Sequence, residues 1–344
     1  MALDLNGIFK RALDHKASDV HLMAELPPVF RLDGILVRTD DPAVSGRELE
    51  SLLPRILTPV QRDRFAAEHD LDLSYEVEGA RFRVNISLER GNVSLVARVI
   101  PDIIPSFSDL HLPDVVGDLI AGYSGLVLVT GPTGSGKSTT LASIIERINN
   151  ERALSIVTLE DPIEFLFTPK RALIRQRELG TDLRSFADGL KHVLRQDPNV
   201  IMVGEMRDPE TMATTLTLAE TGHLVLSTLH TPSAAQAVDR IIDSFPPHQQ
   251  TQIRSQMALS LRAVLAQQLL PRAGGGRIAA REVLINTPAI GNLIRENKVA
   301  QIPNVLQTHA AGGMFNFTQN LRELVGKKLI TQEVADAFRP PNGE

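Results

Sequence analysis

The chain has 344 residues, 43% of them hydrophobic and 22% charged, with a net charge of −5, ordinary values for a globular protein with room for more than one core. It lacks cysteine, which excludes disulfides and cysteine-based zinc sites; the negative net charge offers nucleic acid no overall basic footprint, and an aromatic content of 4%, without tryptophan, no stacking platform. No apolar run reaches the roughly 18 residues of a membrane-spanning helix, and the start MALDLNGIFKRALDHK is no secretion signal, so a soluble, cytoplasmic chain without membrane insertion is expected.

Residues 1 to about 100 mix short helical patterns with alternating strands. In ARFRVNISL, Phe82, Val84, Ile86 and Leu88 alternate with Arg81, Arg83 and Asn85. After the turn-like ERGN the run VSLVARVI returns with Arg98, so a hairpin carrying arginines is expected. The segment PDIIPSFSDLHLP holds three prolines and reads as a linker, placed at 101–114. From about residue 115 apolar strands alternate with amphipathic helices, the signature of an α/β domain with a mainly parallel sheet. GGG at 274–276 marks a turn, and residues from about 286 to 338 read as helical.

The stretch GLVLVTGPTGSGKSTT sets an apolar strand, Leu126 to Val129, before a complete GxxxxGK[S/T] phosphate loop. Leu141, Ile144, Ile145 and Ile148 then recur at helical spacing, so the loop opens a helix. The cradle comprises Gly131, Pro132, Thr133, Gly134, Ser135, Gly136, Lys137, Ser138 and Thr139. Its glycines let backbone N–H groups turn toward a phosphate, and the helix N-terminus adds partial positive charge. Lys137 is expected to reach the β and γ phosphates, and Ser138 to hold Mg²⁺. A chance glycine-rich turn is the competing reading, and both flanks argue against it.

Three further strands end in polar residues, as ligand-facing strands of an open α/β sheet do. LSIVTLEDPIEF puts Glu160, Asp161 and Glu164 just past one strand, and NVIMVGEMRD ends another in Gly204 and Glu205. Glu205 is the candidate for organising Mg²⁺, through water; Glu164 is the first candidate for the base that activates water, and Glu160 the second. Solvated loop charge is the bland alternative for each acid. TGHLVLSTLHT places His223 and His230 at opposite ends of an apolar run. Seven strand steps of about 3.3 Å separate them by roughly 23 Å, so they cannot share a metal within one chain. His230 falls at the carboxyl end, where it can sense a γ-phosphate or face a neighbouring subunit; His223 is read as capping the strand or meeting another surface.

GPTGSGKSTT, TLEDPIEF, RQDPNVIMVGEMRDPET and AETGHLVLSTLHT follow the order of the Walker A, Asp box, Walker B and His box of the secretion and pilus traffic ATPases. The chain resembles the type IV pilus retraction ATPase family from ASDVHL through NLIRENKVAQI, nearly its whole length. Extension motors carry a longer N-terminal region and a four-cysteine zinc module, which this sequence lacks. The resemblance implies a homohexameric ring binding ATP and Mg²⁺, in which a PAS-like N-terminal domain (1–100) precedes a RecA-like ATPase domain (115–344) with C-terminal helices. It also implies that Glu164 is the catalytic base, Glu205 the Walker B acid, and Arg83 and Arg98, with Arg81 less clearly, the hairpin arginines that approach the nucleotide. The implied partner is the pilus platform protein of the inner membrane, which would hold the motor at the cytoplasmic face. No nucleic acid partner is expected.

Two positions depart from the family pattern. Gly291 stands where the motif AIRNLIRE has arginine, and Asn199 stands where aspartate is frequent. The retraction reading competes with an accessory retraction paralogue, with a pilus or secretion assembly ATPase, and with a RecA-like nucleic-acid motor, which would respond to DNA or RNA.

Overall fold

The computed structural model describes residues 3–32, 34–100, 103–308 and 312–338. The chain divides into two compact units. The first runs up to Ile103 and includes Pro162–Leu166; the second takes Ile104–Asp161 and the chain from Phe167 onward.

The first unit is α+β. Its elements are α1 (Leu5–Asp14), β1 (Asp19–Leu22), β2 (Val29–Leu32), β3 (Ile35–Arg38), α2 (Gly46–Glu50), α3 (Leu53–Ile56), α4 (Pro59–Glu68), β4 (Asp70–Val77), β5 (Ala80–Glu89) and β6 (Asn92–Ile100). The strands form one antiparallel sheet in the order β3-β2-β1-β6-β5-β4. The expected arginine hairpin is β5–β6. Phe82, Val84 and Ile86 lie in the core while Arg81, Arg83 and Asn85 stay half-buried on the other face. Leu88, expected with the apolar face, is 42% exposed because the alternation ends as the strand runs into its turn. Phe9 of α1 stacks on Phe82 at 4.3 Å between ring centroids, and both are fully buried. Burial of each such ring is worth about 1.5–3 kcal/mol, which pins the helix to the sheet.

The second unit contains α5 (Asp114–Ala121), β7 (Gly125–Thr130), α6 (Lys137–Glu151), β8 (Ser155–Glu160), β9 (Leu173–Glu178), α7 (Phe186–Val193), β10 (Val200–Val203), α8 (Pro209–Glu220), β11 (Leu224–Leu229), α9 (Ala234–Asp243), α10 (Pro247–Ser260), β12 (Leu261–Pro271), β13 (Arg277–Ile285), α11 (Pro288–Arg295), α12 (Ile302–Thr308), α13 (Phe317–Gly326) and α14 (Gln332–Ala337). Its sheet has the order β13-β12-β7-β11-β10-β8-β9 and is parallel apart from β13, which returns against β12 through the glycine turn. Every residue of β7, β10 and β11 is buried, as strands covered on both faces require. This is the RecA-like α/β arrangement the sequence pointed to, with α11–α14 as its helical tail.

The proline-bearing segment read as a linker is, over residues 104–113, fastened along the second unit; Pro101 and Asp102 lie outside the described residues. Arg281 of β13, only 3% exposed, donates from Nη2 to the Leu110 carbonyl (2.9 Å) and from Nη1 to that of His111 (3.1 Å). Burial pulls its pKa down to about 10, which leaves it charged at neutral pH. Arg147 of α6 lies over the Phe107 ring at 4.6 Å, a second fastening of the cation–π kind. Among the described residues no helix is long and apolar enough to cross a membrane.

Candidate functional site

The phosphate loop follows β7, whose neighbours are β11 and β12, and leads into α6. Gly131 has φ +144°, and a Cβ there would stand 2.2 Å from the Gln267 carbonyl oxygen and 2.7 Å from Ser135 Oγ, so only glycine fits. Gly136 adopts φ +85° as the N-cap of α6, and no side chain caps that helix. Uncapped helix N–H groups at the end of a glycine loop form a ready anion site. Lys137 is 8% exposed and curls back, its Nζ donating to the carbonyls of Gly131 (2.8 Å) and Pro132 (3.0 Å). Ser138 and Thr139 are half-buried in the first turn, while Pro132, Thr133 and Gly134 are exposed. Ser135 Oγ is buried and has no hydrogen-bond partner among the described residues.

The carboxyl ends of β8, β10 and β11 supply the rest. Glu205 follows β10 by two residues, after Gly204, where a Cβ would press on the Leu159 carbonyl oxygen at 3.2 Å. Thr228 Oγ1 donates to the Gly204 carbonyl (2.6 Å) and Ser227 Oγ to that of Val203 (2.8 Å), fixing this end of β10 against β11. Glu205 receives Arg207 Nε at 2.9 Å, and Arg207 also approaches Asp161 at 3.6 Å. The other Glu205 oxygen lies 3.3 Å from Nε2 of His230, whose Nδ1 lies 3.4 Å from Thr133 Oγ1. A proton on Nε2 lets the imidazole donate to the carboxylate and accept from the threonine. A single chain of side chains thus runs from the phosphate loop through His230 and Glu205 to Arg207 and Asp161.

The remaining candidates sit elsewhere. Glu160 is the last residue of β8, not past it; it is 6% exposed and accepts from Thr158 Oγ1 (2.6 Å) and Gln176 Nε2 (3.0 Å). Glu164 belongs to the first unit, half-buried and without a hydrogen bond or ion pair among the described residues. Arg83 and Arg98 also belong to the first unit, directly opposed across β5 and β6. Like charges so placed repel; Asp19 receives Arg98 Nε at 2.8 Å, and Asp72 lies 3.8 Å from Arg83. Burial raises the Asp19 pKa, but bonds from Arg98 and Ser18 outweigh it and hold the carboxyl below its ordinary range. His223 precedes β11. Its Nδ1–H donates to the Leu218 carbonyl (3.1 Å), which closes the C-terminal end of α8.

Both departures from the family pattern have local partners. Asn199 Oδ1 accepts from Ser155 N at 2.9 Å, tying the approach to β10 onto β8. Gly291 is buried in α11 behind its Thr287 cap, where a Cβ would meet the Ala258 carbonyl oxygen of α10 at 3.3 Å. Glycine therefore suits a close approach of two helices. Sequence reasoning missed Arg207 and Gln267. Arg207 lay in plain view beside Glu205, but Gln267 is distant in sequence and sits in an apolar run, with no local signal to mark it.

The type II/IV secretion system protein family matches residues 1–276. The type IV pilus retraction ATPase PilT of Pseudomonas aeruginosa is 44% identical over 334 residues, covering 97% of each chain. A twitching motility protein of Neisseria gonorrhoeae is 46% identical over 310 residues, covering 90% of this chain and 83% of its own. Among solved structures, the pilus retraction motor PilT with bound ADP superposes with a TM-score of 0.91 at 44% identity, covering 98% of each chain.

Proposed function

This chain is a member of the type II/IV secretion system protein family, and we propose that it is the ATP-hydrolysing motor of type IV pilus retraction, acting in twitching motility. The observation that carries this reading is the side-chain path from Thr133 of the phosphate loop through His230 to Glu205. A phosphate loop alone binds a polyphosphate; a loop wired through His230 to a carboxylate two strands away in the sheet can register whether the terminal phosphate is present. Similarity to an ADP-bound motor supports adenine nucleotide as the ligand.

In this reading the nucleotide phosphates lie against the loop amides, and Lys137 exchanges its two carbonyl partners for phosphate oxygens. The buried Ser135 hydroxyl gains an acceptor. The Ser138 hydroxyl and the Glu205 carboxylate are hard oxygen donors of the kind Mg²⁺ prefers, with substrate and water oxygens completing the shell. Bound there, Mg²⁺ would neutralise charge on the terminal phosphates. Glu164 is the proposed general base, accepting the proton of the attacking water, with Glu160 as its alternate. Glu160 is the weaker choice because it is buried and its Oε1 already accepts from Thr158 and Gln176. Arg83 and Arg98 are the proposed guanidinium donors to the γ-phosphate. The chain would work as a homohexamer at the cytoplasmic face of the inner membrane, on the pilus platform protein.

Three experiments test this. Glu164→Gln is expected to retain ATP binding while phosphate release falls at least about a hundredfold; release at the wild-type rate moves the base to Glu160. Deleting the gene is expected to leave cells with excess filaments that do not retract. Bald cells would make the chain an extension motor, and hydrolysis raised several-fold by DNA or RNA would make it a nucleic-acid motor.

A further inference from the structure

Gln267 lies inside β12, 1% exposed, in the apolar run AVLAQQLL. Burying a primary amide is costly unless its polar atoms are paired. Both are paired here, and both partners belong to the phosphate-binding segment. Nε2 donates to the Ser135 carbonyl at 2.7 Å, and Oε1 accepts from Thr140 Oγ1 in the first turn of α6 at 2.9 Å. The same residue's backbone oxygen is the atom that forbids a Cβ at Gly131, and its Nε2 would stand 3.4 Å from a Cβ at Gly136. One side chain of the neighbouring strand therefore braces the loop and the helix it opens.

The stereochemistry of the peptide group gives that brace a consequence. In a trans peptide the C=O and the following N–H point in opposite directions within one plane. Holding the Ser135 carbonyl toward β12 therefore directs the Gly136 N–H away from β12. Without the bond, the glycine at φ +85° leaves that plane free to turn. We propose that Gln267 is a positioning residue for phosphate binding: its amide sets the Ser135–Gly136 peptide so that the Gly136 N–H is presented to nucleotide phosphate. This rests on the reading of the loop as a nucleotide cradle.

The test measures binding of a fluorescent ADP to the full-length protein, with thermal unfolding recorded in parallel. Gln267→Met fills the same space without polar atoms and is expected to weaken ADP binding about tenfold at every pH, which is about 1.4 kcal/mol. Gln267→Glu keeps the acceptor for Thr140 but can donate to the Ser135 carbonyl only when protonated, and burial raises the pKa of such an acid. Its affinity relative to wild type is therefore expected to be low at pH 8 and to recover as the pH falls toward 6. A purely packing role would show no such recovery. ADP affinity of Gln267→Met within twofold of wild type, or a flat pH dependence for Gln267→Glu, overturns the proposal. If wild-type protein itself fails to bind ADP, the cradle reading fails instead.

Discussion

The two ends of β11 carry one histidine each and differ in almost every other respect. At the carboxyl end His230 is exposed and bridges two groups from different segments, Thr133 and Glu205, by long contacts of 3.4 and 3.3 Å. At the amino end His223 turns onto the helix just before it, Nδ1 to the Leu218 carbonyl at 3.1 Å, while its own carbonyl accepts from Gly125 N at 2.9 Å. One imidazole joins distant parts and the other finishes a local turn. The lesson is that residue type says little; which edge of a parallel sheet a residue occupies says much more, because loops from the carboxyl ends converge there.

Substitutions can break or sharpen this contrast. The largest effect is expected from Lys137→Ala at the carboxyl edge. Its ammonium is the loop's own charged donor, so phosphate release is expected to fall by about 10² to 10³. A fall of less than tenfold would remove the carboxyl edge from the chemistry. His230→Ala should slow turnover by about tenfold while barely moving the unfolding temperature, since the side chain is exposed and its contacts are long. A steady-state assay beside a melting curve separates the two. His223→Ala is expected to change turnover by less than twofold and to lower stability by about 0.5–1.5 kcal/mol, the worth of one capping hydrogen bond. Comparable turnover losses in the two histidine variants would erase the distinction.

Much of this was legible beforehand. The phosphate loop, the strand-end acids and the arginine hairpin all announce themselves within short windows, because glycine spacing and period-two alternation are local signals. Their assembly is not local. That His230 meets Thr133 depends on β11 lying beside β7 in parallel register, a pairing between strands about a hundred residues apart. Gln267 is harder still: nothing in its neighbourhood says that an amide faces the loop, and only the position of β12 beside β7 reveals it. Glu160 is the converse case: its motif position marks a candidate base, but its burial at the end of β8 and its bonds from Thr158 and Gln176 depend on strand packing that no short window shows.

The grip of Arg281 on Leu110 and His111 bears on how the molecule can be cut. A fragment begun at residue 115, where the alternating strands start, would lose both carbonyls that hold Arg281 and expose to water a guanidinium that the intact chain keeps dry. A fragment meant to stand alone should therefore begin ahead of Ser106, keeping the turn in which Ser106 and Asp109 bond each other and the stretch that covers the outer strand. The alternating strands mark where the polypeptide changes texture; the boundary that matters to an experimenter lies several residues upstream, inside the proline-bearing stretch.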